Sequence, residues 1–84
     1  MSRDEVTSIL QVVFRDVFQD DELIIGDDTT AEDVPTWDSL SNIQMVLAVE
    51  QAFRIRLTAA QVSGLENVGG LISVVEAKVA AKAA

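Results

Sequence analysis

One short stretch of this sequence, Trp37-Asp38-Ser39-Leu40, combines residue types that could do chemistry. It lies between a segment without helical periodicity and an apolar stretch with it, so Asp38 or Ser39 is expected to be the N-cap of a helix. A helix N-terminus has free backbone N–H groups and a partial positive charge, which favour a phosphate. Ser39 could therefore be a helix cap, a nucleophile or a point of attachment.

A nucleophilic role for Ser39 lacks a base to support it. The sequence contains no histidine and no cysteine, and its only lysines, Lys78 and Lys82, stand far along the chain. A serine hydroxyl needs an adjacent base to become an effective nucleophile. A hydrolytic enzyme is accordingly the weakest interpretation, and no catalytic residue is predicted. Ser39 then serves as a cap or is modified by another enzyme.

No metal site follows from the acidic residues. If Gly26 is placed at the sixth position of a calcium-binding loop, Leu23 and Ile25 occupy positions that need oxygen ligands. The sequence also has no zinc-ligand spacing and no glycine-rich phosphate loop.

Length and charge restrict the class of protein further. Residues 1–84 suffice for one domain with a small core, and 49% hydrophobic residues indicate a folded chain. Six basic residues against fourteen acidic ones give a net charge of −8, which disfavours nucleic acid and anionic membrane as partners. No apolar run approaches the length of a membrane span. We expect a cytoplasmic monomer whose partners are basic.

The acidic residues are concentrated in one half of the chain. Between Arg15 and Arg54 there is no lysine or arginine, and this interval contains Asp16, Asp20, Asp21, Glu22, Asp27, Asp28, Glu32, Asp33, Asp38 and Glu50. The surroundings of Ser39 are therefore expected to be strongly negative.

Apolar periodicity predicts an all-α chain with three long helices and a short one. The long helices are expected over residues 2–18, 39–53 and 68–81, and the first begins with a capping box formed by Ser2 and Glu5. A second capping box, Thr58 with Gln61, predicts a short helix that Gly64 ends. Residues 54–57 read as an extended link.

Residues 19–38 form a long predicted loop. A loop of this length in a small domain is either functional or held by its own apolar residues. We expect those residues to pack on the helices: Leu23, Ile24, Ile25, Val34 and Trp37.

The second long helix has one apolar row more than a surface helix needs. Met45, Val46, Val49 and Phe53 form a natural core side, whereas Leu40, Ile43 and Leu47 form a second row that Glu50 continues. Either this helix is buried on two sides, or the second row is an exposed patch for a partner. The row begins directly after Ser39 in the acidic half, which favours the exposed patch.

A family resemblance is carried by residues 27–58, which read DDTTAEDVPTWDSLSNIQMVLAVEQAFRIRLT. This segment resembles acyl carrier proteins and the related peptidyl and polyketide carrier domains, and the resemblance extends over essentially the whole chain. It implies a four-helix bundle. It also implies that Ser39 carries 4′-phosphopantetheine through a phosphodiester, installed by a phosphopantetheinyl transferase, and that the thiol of this arm holds an acyl group as a thioester.

The resemblance also implies a partner surface. Asp38 and Glu50 would meet basic residues on acyl ligases, synthases or transferases, while Leu40, Ile43 and Leu47 would supply the apolar contact. The alternative is an unmodified acidic helical adaptor that uses the same patch and needs Ser39 only as a cap.

The chain departs from the pattern common in carriers of housekeeping fatty acid synthesis. Ser41 and Gln44 replace two acidic residues, and Trp37 replaces a small one. Fatty acid or lipid synthesis and the specialised polyketide or nonribosomal pathways all stay open, with these residues favouring a specialised pathway.

Overall fold

The computed structural model describes residues 2–34, 37–63 and 67–83. It contains four α-helices, α1 (Arg3–Val17), α2 (Ser39–Phe53), α3 (Ala59–Ser63) and α4 (Val68–Ala83), with a 3-10 turn at Ala31–Asp33. No strand occurs in these three ranges. The predicted all-α bundle of three long helices and a short one is confirmed.

Two of the predicted helix starts are stabilised as the sequence indicated. The Ser2 hydroxyl accepts from the backbone N–H of Glu5 at 3.2 Å, and the Glu5 carboxylate accepts from the Ser2 N–H at 3.3 Å. Thr58 and Gln61 exchange the same pair of hydrogen bonds, at 3.1 and 3.0 Å, before α3. Gly64, predicted to end α3, lies outside the described residues.

The core is formed where α2 and α4 pack on α1. It consists mainly of aliphatic side chains, which are Val6, Leu10, Phe14, Phe18, Ile25, Val34, Met45, Val49, Phe53, Ile55, Val68, Leu71, Ile72 and Val75. Two long-loop residues, Ile25 and Val34, are among them, so the loop is an integral part of the fold. In the described part of the chain, no helix is long and apolar enough to cross a membrane.

Polar side chains of α1 hold the first part of the long loop. The Gln11 side chain donates to the Leu23 carbonyl at 2.6 Å and accepts from the Ile25 N–H at 2.9 Å, and Arg15 Nε also donates to the Leu23 carbonyl, at 2.8 Å. The prediction that Ile24 packs on the helices is wrong, because its side chain is 76% exposed. Hydrogen bonds from α1 hold the backbone of Leu23 and Ile25 on either side of it, and Ile24 is left facing solvent.

The middle of the loop crosses the N-terminus of α4. The carbonyl oxygens of Asp27 and Thr29 accept from the backbone N–H groups of Gly69 at 2.9 Å and of Val68 at 2.7 Å. A Cβ atom on Gly69 would lie only 2.7 Å from the Asp27 carbonyl oxygen. Glycine at this position is therefore what allows the loop to approach the helix closely.

The C-terminal end of α4 extends beyond the predicted residue 81 to Ala83. There Lys82 Nζ donates to the carbonyl of Phe53, the last residue of α2, at 3.4 Å. This contact gives the additional residues of α4 a tertiary partner.

Candidate functional site

Ser39 is the first residue of α2, and the cap of this helix is its neighbour Asp38. Asp38 has extended backbone, and its Oδ1 accepts from the Ser41 N–H at 2.9 Å. This hydrogen bond stabilises the carboxylate and holds the pKa of the exposed Asp38 side chain below its ordinary value. Of the two predicted N-cap candidates, Asp38 and Ser39, the structure assigns the cap of α2 to Asp38.

Trp37 attaches the segment before Ser39 to the core. Its ring packs edge-on against Phe14, with ring centres 5.4 Å apart, and against Phe18 at 5.8 Å. The indole Nε1 donates to Asn42 Oδ1 at 3.0 Å, which also joins Trp37 to the first turns of α2. The prediction that Trp37 packs on the helices is confirmed, and the start of α2 is held through it.

The second apolar row of α2 is exposed. Leu40, Ile43 and Leu47 have 66%, 58% and 53% of their side chains accessible, whereas Met45 and Val49 on the opposite side are fully buried. The interpretation in which α2 is buried on two sides is wrong. Three large apolar side chains in solvent along one helix form a continuous surface, which we call the α2 stripe (Leu40, Ile43 and Leu47).

Glu50, which continues this row, has a structural contact that the sequence did not reveal. The side chain is half-buried, and its Oε2 accepts from the Leu57 N–H at 2.9 Å. The carboxylate therefore helps to hold the 54–57 link, which is non-helical. The prediction that this link is extended is wrong at Arg54, whose left-handed backbone (φ 55°, ψ 49°) ends α2. The contribution of Glu50 to partner binding stays a prediction.

A pocket of about 220 Å³ opens beside the α2 stripe, between α2, the link and α3. Its described lining residues are Asn42, Ile43, Val46, Leu47, Leu57 and Val62. The stripe and the pocket share Ile43 and Leu47, so the exposed surface continues into the concavity. Asn42, Leu57 and Val62 were not predicted as site residues, although the three-residue separation of Asn42 from Ser39 could have suggested a shared face.

Of the acids between Arg15 and Arg54, Asp27 forms an ion pair with a cation from outside that interval, Arg3. No lysine or arginine lies between Arg15 and Arg54, and Arg15 is bonded to the Leu23 carbonyl. Arg3 pairs with Glu76 at 2.6 Å and with Asp27 at 3.4 Å. Within the residues described, no group of three acidic side chains is arranged to hold a metal ion. The site combines an apolar stripe and an adjoining pocket, and Ser39 and the stripe belong to the interval that holds ten acids and no lysine or arginine.

Comparison with solved structures gave a similar fold over most of the chain. The solution NMR structure of the holo acyl carrier protein from Geobacter metallireducens superposes with a TM-score of 0.88 and 34% sequence identity, over 92% of this chain and 88% of that one. Comparisons with protein-family models and with curated protein sequences gave no match.

Proposed function

Because the chain belongs to the acyl carrier protein family, we propose that it holds acyl or related intermediates as thioesters on a 4′-phosphopantetheine arm attached to Ser39 and delivers them to partner enzymes. The observation that carries this proposal is the position of Ser39 at the first residue of α2, beside the exposed α2 stripe, with the cap supplied by Asp38.

The residues at the start of α2 fit such a group. A phosphodiester on Ser39 would lie at a helix N-terminus, where the backbone N–H groups and the helix dipole favour a phosphate. The arm supplies, when bound, the thiol that a chain without cysteine lacks. The chain's own residues hold the arm and present a surface to other proteins. We therefore assign the chain no catalytic step.

Delivery would use the α2 stripe together with the surrounding acids. The stripe offers apolar contact, and Asp38 and Glu50 lie at its two ends to meet basic residues of a phosphopantetheinyl transferase, ligase, synthase or acyl transferase. Charge complementarity speeds encounter more than it strengthens binding, and three exposed side chains form a small contact. Both properties suit a carrier that must leave one enzyme to reach the next.

The pathway in which the carrier acts is indicated by three residues close to Ser39. Ser41 and Gln44 leave the first turns of α2 without acidic side chains, and Trp37 occupies the position before Asp38. These residues favour a specialised pathway over housekeeping fatty acid or lipid synthesis. The cytoplasmic location and the monomeric state stay predictions from the sequence.

Intact-mass measurement tests the attachment. The purified chain is incubated with coenzyme A and a phosphopantetheinyl transferase of broad specificity, alongside Ser39→Ala and Ser41→Ala. We expect one phosphopantetheine on the wild type and on Ser41→Ala, and none on Ser39→Ala. No added mass on the wild type, or an arm retained by Ser39→Ala, would reject the proposal.

A further inference from the structure

The row of α2 that begins with Leu40 continues beyond Glu50. Its members follow one another at intervals of three and four residues, and the next position at this spacing is Arg54. Arg54 is still on the path of the helix, since its backbone N–H donates to the Glu50 carbonyl. One row of α2 therefore carries three apolar side chains, then a carboxylate and then a guanidinium.

Three exposed cations lie where this row ends. Arg54 and Arg56 flank Ile55, which is buried in the core. Lys82 of α4 is at the same end of the molecule, because its Nζ donates to the carbonyl of Phe53, the residue before Arg54, at 3.4 Å. Within the residues that the structure describes, none of the three cations forms an ion pair with a carboxylate. We call them the basic end (Arg54, Arg56 and Lys82).

Arg54 has a backbone conformation that costs an arginine some stability. Its φ of 55° and ψ of 49° lie in the left-handed region, where a Cβ atom is unfavourable and where glycine usually ends a helix. The α2 dipole favours a cation within the last turn, but it does not extend to Arg56, two residues further on. Neither the backbone nor the dipole accounts for two arginines here, whereas a partner that binds both would.

The two ends of the row differ in charge and are far enough apart to act separately. Positions 40 and 54 are fourteen residues apart, which corresponds to roughly 21 Å along a helix axis. Exposed charges are screened over about 8 Å at physiological ionic strength. A partner that lies along the α2 stripe would thus meet the acidic Asp38 beside Ser39 and the basic end beyond Glu50.

We propose that the basic end is a docking surface for an acidic patch on the enzymes that the carrier serves, and that it fixes the direction in which α2 lies on them. The enzyme surface then has basic residues where it receives Ser39 and acidic residues roughly 20 Å away. The opposite direction would bring like charges together at both ends, which is unfavourable. The inference rests on the proposed function, because a fixed direction serves a chain that must present an arm.

Other partners fit the basic end less well. The chain carries a net charge of −8, and Glu50 lies one turn from Arg54, so an extended polyanion such as nucleic acid or an anionic bilayer is repelled beyond the three cations. Two copies of the chain repel each other for the same reason. A protein with a small acidic patch beside an apolar surface avoids this repulsion.

The experiment uses the chain with its arm attached and a helical peptide as the partner surface. The peptide has about twenty residues, roughly 30 Å of helix, with an apolar row between a lysine cluster at one end and a glutamate cluster at the other. A nitroxide is attached through a stable thioether to a single cysteine at the glutamate end before mixing. We expect it to broaden the NMR signals of the Arg54 and Ile55 amides much more than those of Ser41 and Asn42. A nitroxide at the lysine end should give the reverse.

Two double variants separate charge from structure. Arg54→Gly with Arg56→Gln removes both charges, and the fold should be at least as stable, because glycine suits left-handed backbone. This variant should bind the peptide about two- to thirtyfold more weakly, the range for two exposed charge pairs, and should lose the preferred direction. Arg54→Lys with Arg56→Lys is the matched control, which keeps both charges and should retain both the affinity and the direction.

The outcomes separate this inference from the proposed function. If the arm cannot be attached, both fall. If it is attached but the peptide does not bind, or the nitroxide broadens both ends equally, or the uncharged variant binds as tightly as the wild type, the carrier function stands and the inference is overturned. Two further results would also overturn it: binding of phosphatidylserine vesicles through Arg54 and Arg56, or shifts of their signals with the concentration of the chain alone.

Discussion

Asp38 Oδ1 accepts a hydrogen bond from the backbone N–H of Ser41 at 2.9 Å, so the residue that caps α2 directly precedes the serine proposed to carry the arm. The cap and the attachment point are thus neighbours with separate tasks. This separation leaves Ser39 free to be modified without loss of the hydrogen bond that begins the helix.

Stability measurements on the two neighbours should differ accordingly. Asp38→Ala removes the cap and should lower the midpoint of thermal unfolding by several degrees, whereas Ser39→Ala should change it little. Asp38→Asn is the matched control, because asparagine caps helices about as well as aspartate. Circular dichroism melts of the four unmodified proteins provide the test. Equal losses from Asp38→Ala and Ser39→Ala would contradict the assignment of the cap.

The stabilisation due to Asp38 should depend on pH in a defined direction. Its pKa is lowered in the folded chain from an ordinary value of 3.8, chiefly by the Ser41 N–H, so the folded state favours the charged form. The contribution is present above the ordinary value and is lost as the pH falls through the lower, folded pKa. Urea unfolding of wild type and Asp38→Ala should therefore give a stability difference that is largest near neutral pH and shrinks in acid. A difference that grows on acidification would contradict this sign.

Charged substitutions on the two sides of α2 should separate binding from folding. Val49 is fully buried, so Val49→Asp should destabilise the fold by several kcal/mol, because it buries an unpaired carboxylate. Leu47→Asp replaces a residue that is 53% exposed, so it should lower the free energy of unfolding by less than about 1 kcal/mol. It should nevertheless impair modification by the transferase, measured as the rate of arm attachment. Half-buried Val46 should give an intermediate loss of stability. Equal unfolding by Leu47→Asp and Val49→Asp would mean that the stripe belongs to the core.

A substitution at Gly69 should show how closely the long loop approaches α4. A Cβ at this position would lie 2.7 Å from the Asp27 carbonyl oxygen, so Gly69→Ala should destabilise the protein by about 1–3 kcal/mol despite the better helix propensity of alanine. Gly26→Ala is the matched control in the loop, because a Cβ there meets no atom within 4 Å. It should be neutral or stabilising by up to about 1 kcal/mol. Urea denaturation of both variants measures their free energies of unfolding. If Gly69→Ala is more stable than the wild type, the loop can move away from α4 at little energetic cost.

Local signals in the sequence were sufficient for the helices and for the position of Ser39. Capping residues and apolar periodicity act between neighbours in the chain, so the capping box of Ser2 and Glu5 and the start of α2 could be identified without tertiary information. Periodicity also separated the two sides of α2 but could not decide whether the second row was covered, because covering depends on which elements pack against it. Exposure of Leu40 and Ile43 became evident only once α1 and α4 were placed.

The sequence by itself determined that the chain is all-α, that it resembles a carrier protein and that a serine stands at a helix start in its acidic half. Composition, capping residues and apolar periodicity depend only on the order of the residues, so they could be read without the fold. The tertiary structure alone decided what distant residues do for one another. It committed Glu50 to the Leu57 N–H, turned Ile24 to solvent, and placed Asn42 in a pocket wall that includes residues of α3. Such contacts depend on the directions in which folded elements approach each other, and no local pattern in the sequence encodes those directions.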